Sequence, residues 1–234
     1  LANRVKTKGE SNAVLVALTE PKSAAAEAFR ALRTNIQFAS PDKPVHTILA
    51  TSTSPDDGKS TTIANLAITF AASGSPTILV DADLRRPHLH KLFGLSNETG
   101  LTTLVASMAR SSEGQNVELP LQETSVPNLR VLTSGPVPPN PAEILGSQRL
   151  ADILGLLRDQ AEYVLIDTPP VIAVTDAAVL APRVDGVFLV VSAGKTRRDL
   201  AAKARDILRQ VNANLLGVVL NNAKLDKSAY EYYG

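Results

Sequence analysis

Short, continuous apolar runs alternate along the chain with stretches of helical periodicity. The runs at 45–50, 77–80, 129–133, 163–166, 186–191 and 215–220 lack the in-out alternation of a half-exposed strand. That is the pattern of strands covered on both faces, as in a parallel sheet. Helical stretches at 60–72, 142–160 (with breaks), 176–181 and 196–211 separate them. Strand and helix in turn predict an α/β fold, a doubly wound and mostly parallel sheet with its ligands at the carboxyl ends of the strands. Ahead of the first run, Ser23 is placed to cap an alanine-rich helix over 23–39. The proline-rich stretch 135–141 reads as a rigid loop leading into a helix, and 110–128 as the loosest region. The pattern stops after Leu220. The expected organisation is an N-terminal segment 1–22, a domain 23–221 and a flexible tail 222–234.

Composition narrows the picture. A chain of 234 residues with 44% apolar and 20% charged positions can bury a sizeable core. Its net charge of +1 supplies no global field for nucleic acid, and no nucleic-acid partner is expected. With no cysteine, disulfides, thiolate metal sites and a cysteine nucleophile are excluded, and a reducing compartment fits best. No apolar run approaches the ~20 residues of a membrane helix. The chain begins at Leu1 rather than Met and stops in Tyr-Glu-Tyr-Tyr-Gly, which leaves room for flanks that could contain membrane spans.

The chemistry gathers where the runs end. The run 45–50 leads through Ser54-Pro55-Asp56-Asp57-Gly58-Lys59-Ser60-Thr61 into a helical pattern. In this strand-loop-helix context backbone N–H groups cradle phosphates, a lysine reaches the β- and γ-oxygens, and a serine hydroxyl serves Mg²⁺. Thr53 stands where the first glycine of the motif belongs, and Asp56 and Asp57 bring negative charge toward the site. The next run ends in Asp81-Ala82-Asp83, whose alternation puts both carboxylates on one side, and the run 163–166 ends in Asp167. Three carboxylates thus reach the edge where Mg-ATP would sit.

Taken together, the loop around Lys59, the segment 78–85, the segment 164–167, the Glu27-x-x-Arg30-x-x-Arg33 spacing, the stretch 138–143 and the terminal tyrosine cluster resemble the bacterial tyrosine kinases of capsule and exopolysaccharide synthesis. The resemblance implies a P-loop NTPase type of fold and autophosphorylation from ATP with Mg²⁺. It implies that Lys59, Asp81, Asp83 and Asp167 are catalytic, that Ser60 and the three aspartates hold the metal, and that residues 55–61 and Asn221 bind nucleotide. Glu27, Arg30 and Arg33 would join subunits into a ring, and Tyr230, Tyr232 and Tyr233 would accept phosphate. A transmembrane polysaccharide co-polymerase activator, fused or separate, would hold the kinase at the inner face of the plasma membrane, and a phosphotyrosine phosphatase would reset it. The family usually carries glycine where this chain has Asp56.

The residues themselves leave alternatives open. Either Asp81 or Asp83 could take the phenol proton, and Asn222 could replace Asn221 as a base reader. His46, His88 and His90 read as structural or surface residues. The roughly dozen residues beyond Asn221, at ~3.3 Å each, reach up to about 40 Å, enough for transfer to a neighbour. A partition-type ATPase switch shares the pattern of strands and aspartates, but it carries a second lysine where this chain has Ser54. A nucleotide-binding scaffold is the third reading.

Overall fold

The structure, a computed structural model, describes residues 15–39, 44–109 and 117–223. Its strands are β1 (Thr47–Ser52), β2 (Thr77–Asp81), β3 (Gln122–Glu123), β4 (Leu129–Leu132), β5 (Tyr163–Asp167), β6 (Gly186–Ser192) and β7 (Leu215–Asn221). The helices are α1 (Val16–Thr19), α2 (Ala24–Phe38), α3 (Lys59–Ala72), α4 (Leu89–Phe93), α5 (Leu101–Met108), α6 (Pro141–Gly146), α7 (Gln148–Arg158), α8 (Asp176–Leu180) and α9 (Arg198–Gln210).

The strands form one sheet in the order β3-β4-β2-β5-β1-β6-β7. Every pairing is parallel except that of β3 with β4, so the doubly wound, mostly parallel architecture is the one expected. Successive strand residues point to opposite faces. Ile48, Ala50, Leu79, Leu165, Phe188 and Val190 pack under α1, α2 and α3, whereas Leu49, Ile78, Val80, Val164, Ile166 and Leu189 pack against α5 through α9.

Helix α3 is covered nearly all round: every residue from Thr62 to Ala71 is buried. A helix apolar on all sides belongs inside a core, and α3 lies between the sheet and the outer pair α1 and α2. The Phe70 ring meets Tyr163 of β5 with centroids 4.1 Å apart. Ser23 caps α2 as expected, its hydroxyl accepting from Ala26 N. Within the segment 1–22, α1 seats on α3, with Ala17 N donating to Asn65 Oδ1 at 2.8 Å.

Elsewhere the structure corrects local expectations. The helix expected over 142–160 is two helices, because Ser147 ends α6 and its hydroxyl accepts from Leu150 N to cap α7. The stretch expected to be loosest is tied down over its described part. There β3 pairs with β4, and the Thr124 hydroxyl bonds the carbonyls of Val126 and Leu129. Helices α4 and α5 were not anticipated, since elements of five and eight residues show too few turns for periodicity to register. No helix among the described residues is long and apolar enough to cross a membrane.

The starts of β1 and β6 are joined through Asp185, whose carboxylate accepts from His46 N, Thr47 N and the Thr47 hydroxyl at 3.1, 2.8 and 2.8 Å. Partial burial opposes its ionisation. The bonds from Thr47 and His46, with Arg158 nearby, outweigh that and hold the Asp185 carboxyl below the usual range. A carboxylate depressed in the folded state adds stability above its unfolded pKa of about 3.9 and loses it as pH falls through the folded value. Asp185→Asn should therefore lower stability to urea at pH 7 by about 1 kcal/mol, the worth of such partly solvated bonds. The deficit should shrink below about pH 4. An equal deficit at pH 7 and pH 3 would assign the loss to packing instead.

Candidate functional site

Strand β1 ends at Ser52 and α3 begins at Lys59, so six residues make the turn. Two of them are left-handed: Asp56 at φ 63° and Gly58 at φ 88°. Gly58 is doubly constrained, because a Cβ there would stand 1.9 Å from Asn221 Nδ2. That amide, at the end of β7, donates to the Asp57 carbonyl at 3.0 Å and presses the loop from one side. Asp56 occupies the position where the family usually has glycine, and aspartate is among the few residues that tolerate this backbone region.

The second loop aspartate turns away from the cavity. Asp57 is 2% exposed, and its carboxylate accepts from the Thr53 hydroxyl at 2.6 Å, Ser54 N at 2.9 Å and the Thr196 hydroxyl at 3.0 Å. Its charge therefore braces the loop. The residue standing in for the missing first glycine, Thr53, is one of its partners.

Around the loop opens a cavity of about 830 Å³ lined by Ser54, Pro55, Asp56, Gly58, Lys59, Ser60, Thr61 and Asp83, among others. Its floor is a charged knot. Lys59 Nζ lies 3.0 Å from Asp83 Oδ2, 3.3 Å from Asp167 Oδ1 and 3.1 Å from the Ser60 hydroxyl. The Ser60 hydroxyl donates to Asp167 Oδ2 at 2.5 Å.

Sheet register explains the convergence. Asp81 and Asp167 are direct partners at the ends of β2 and β5, and both are fully buried. Asp83, two residues beyond Asp81, reaches the cavity wall with its other oxygen accepting from Arg86 N at 3.0 Å. Asp81 turns one oxygen to His88 N and Leu89 N at 3.0 and 2.9 Å, while its Oδ1 has no partner among the described residues.

Burial, with Asp167 adding to it, pushes the Asp81 carboxyl up to about 7. Burial likewise raises Asp167, against the pull of Lys59 and the Ser60 bond. Burial opposes the charge on Lys59, but Asp167 and Asp83 outweigh it and hold the ammonium above the usual lysine value. A hydroxyl, buried carboxylates and an unpartnered carboxylate oxygen form an all-oxygen donor set that fits a hard divalent cation. Among the described residues no cluster of three acidic or histidine groups encloses a metal by itself, so phosphate or water oxygens would complete the shell.

Glu27, Arg30 and Arg33 share α2 but not one environment. Glu27 and Arg30 pair on the exposed face, and Arg30 also reaches the Pro21 carbonyl. Arg33 instead donates to the Thr69 carbonyl of α3 at 3.0 Å, so it also ties two helices of its own chain. Asn222 bonds the Ser192 hydroxyl rather than the loop. Tyr230, Tyr232 and Tyr233 lie outside the described residues.

Sequence reasoning overlooked several neighbours. Arg85 grips the buried Asp176 with two bonds of 2.9 Å, and Arg86, His88 and Lys195 line the cavity. Lys195 follows the carboxyl end of β6. His88, expected to be structural or superficial, belongs to the site wall.

Residues 44–230 match the ParA family, described as a NUBPL iron-transfer P-loop NTPase. Iron–sulfur ligation by thiolates is closed to a chain without cysteine. The chain is 45% identical to the tyrosine-protein kinase YwqD of Bacillus subtilis, over 94% of its own length and 91% of that protein's. It is 39% identical to the putative tyrosine-protein kinase CapB of Staphylococcus aureus, over 92% of each. The solved kinase domain of the Escherichia coli tyrosine kinase ETK superposes with a TM-score of 0.83 at 33% identity, covering 96% of this chain and 85% of that one.

Two loop variants test the site. Asp56→Gly removes a carboxylate beside the cavity and should tighten Mg-ATP about fivefold, roughly 1 kcal/mol, the scale of one partly screened charge. Gly58→Ala should abolish binding, since alanine meets both the left-handed backbone and the Asn221 amide. Titration with a fluorescent ATP analogue measures both, with circular dichroism to verify that the chains are folded.

Proposed function

Because the chain belongs to the bacterial tyrosine-protein kinases, a branch of the P-loop proteins that match the ParA family, we propose that it transfers the γ-phosphate of ATP to its own C-terminal tyrosines. The observation that carries this reading is the Lys59 knot at the cavity floor, where one ammonium is shared by Asp83 and Asp167.

Lys59 exchanges these carboxylates for phosphate oxygens when nucleotide enters, and backbone N–H groups of residues 55–61 cradle the remainder. Ser60 and Asp167, with the open oxygen of Asp81, would hold Mg²⁺, which when bound would neutralise charge on the transferring group. Asp83 is the one of the three carboxylates on the cavity wall, so it accepts the phenol proton as the new O–P bond forms and the γ-phosphorus parts from the bridging oxygen, which leaves with ADP. Asp81, fully buried and turned to α4, holds the floor. Asn221 sits at the β6–β7 side of the loop and faces the nucleoside end.

The acceptors are Tyr230, Tyr232 and Tyr233, reached in trans within a ring in which α2 meets a neighbouring subunit. We assign the kinase to capsule or exopolysaccharide synthesis on the resemblance stated above. It would act on the cytoplasmic side, held to the plasma membrane by a two-span co-polymerase activator, fused or separate, and reset by a phosphotyrosine phosphatase.

Mixing two chains tests catalysis and direction together. One chain carries Lys59→Met with an intact tail; the other is active but has phenylalanine at 230, 232 and 233. Phosphotyrosine should appear on the inactive partner. None on it, while the parent chain labels itself, would place transfer within one subunit; release of free phosphate alone by the parent would favour the ATPase switch. The ring is tested separately by Glu27→Ala with Arg30→Ala, leaving Arg33 to its contact with α3. Light scattering should report a smaller, folded species, and an unchanged mass would reduce this pair to a solvated face.

A further inference from the structure

The sheet order divides the cavity into two halves. β1 carries the phosphate loop; on one side stand β5 and β2 with Asp167 and Asp81, and on the other stand β6 and β7. A nucleotide whose terminal phosphate lies between Lys59 and the carboxylates must extend its retained part toward β6. There the turn after β6 supplies Lys195, which lines the cavity wall with Ser54, Pro55 and Asp56. Among the described residues its ammonium has no ion-pair partner. Ser54 leaves the loop itself with a single lysine, so Lys195 is the second one this cavity has.

The turn is not free to wander. The Thr196 hydroxyl accepts from Ser192 N at 2.8 Å and donates to Asp57 Oδ1 at 3.0 Å. The same Asp57 carboxylate grips Thr53 and Ser54 N. A buried acid thus bonds the phosphate loop and the turn beyond β6 at once, and Lys195 is the residue next to its point of attachment.

Resting on the kinase reading above, we propose that Lys195 anchors the retained α- and β-phosphates of the nucleotide, and that the Asp57–Thr196 hydrogen bond holds it in position. Lys59 reaches the bond that breaks, between the β- and γ-phosphates; Lys195 faces only the phosphates that stay. An anchor on the retained part binds ground state and transition state alike, so it sets KM and leaves kcat nearly unchanged. It also serves ADP as well as ATP.

The test measures Mg-ADP and Mg-ATP affinity by calorimetry, and phosphotransfer at saturating ATP, on the full chain. Lys195→Ala should weaken both nucleotides by about 5- to 10-fold, the range for a charge-assisted bond partly open to water. Its kcat should stay within about twofold of the parent, and Lys195→Arg should recover most of the affinity. Thr196→Val should weaken both nucleotides about threefold in the parent background and add nothing once Lys195 is alanine, because residues acting through one another are not additive. Thr196→Ser, which keeps the hydroxyl, should behave as the parent.

Unchanged ADP affinity in Lys195→Ala would overturn the proposal, as would a loss confined to ATP, which would assign Lys195 to the transferred phosphate. An additive effect of Thr196→Val would give the Asp57 bond a purely structural role and overturn the second half. Should Lys195→Ala raise KM for a tyrosine peptide alone, the lysine reads the acceptor instead. A parent chain that binds neither nucleotide would remove the reading of the cavity itself, an outcome separate from all of these.

Discussion

Three buried carboxylates and one ammonium meet at the floor of the cavity, and this imbalance of charge governs the site. Lys59 can compensate one negative charge, not three. The remainder is offset by backbone N–H groups at Asp81 and Asp83 and by the Ser60 hydroxyl at Asp167, while burial raises the Asp81 and Asp167 carboxyls above the usual range. A site arranged in this way is incomplete electrostatically. It is suited to a ligand that brings cations with it, and the magnesium complex of a nucleotide is such a ligand. The sheet enforces the arrangement: Asp81 and Asp167 are opposed by register on adjacent parallel strands, where they would repel unless something positive stood between them.

The phosphate loop shows a second way of meeting a constraint. Glycine ordinarily grants the backbone its turns, but here Asp56 adopts a left-handed conformation and Thr53 takes the first glycine's place. The loop is instead held from outside. Asp57 binds three partners with its carboxylate, and Asn221 bonds its carbonyl. Rigidity that glycine turns leave to packing is supplied by buried hydrogen bonds, which are strong where water cannot compete. The cost is specificity of sequence, because each partner must be present for the carboxylate to remain satisfied.

Much of this arrangement is legible in the sequence. Continuous apolar runs identified all six parallel strands: β1, β2, β5 and β6 are buried throughout and need no polar positions, while edge strand β7 is apolar although its Val218 and Leu220 are exposed. Asp81, Asp83 and Asp167 were legible because each follows such a run. What escaped notice was local or depended on distance. Residues α4 and α5 contribute are too few to show a period, and Ser147 reads as an ordinary serine until it is seen to end one helix and cap the next. Asp57 looked like a liability beside phosphate, since nothing in the sequence says that residue 57 meets Thr196, 139 positions away. Arg33 looked like one member of an exposed stripe, and its bond to Thr69 depends on how α2 crosses α3. Spacing reveals which residues share a face; it does not reveal which face is covered.

Helix α3 carries Lys59 and Ser60 at its first turn, and its next ten residues fill the centre of the protein. On the kinase reading proposed above, phosphotransfer and folding would draw on one segment. A ligand bound at that first turn holds the helix, and with it the core, against unfolding. Saturation at a hundred times the dissociation constant is worth about 2.7 kcal/mol, a large share of the stability of an ordinary domain. If the ligand is the nucleotide proposed above, its supply enters the folding equilibrium as a term of its own. Emptying the site would then withdraw that share of stability along with the phosphate donor.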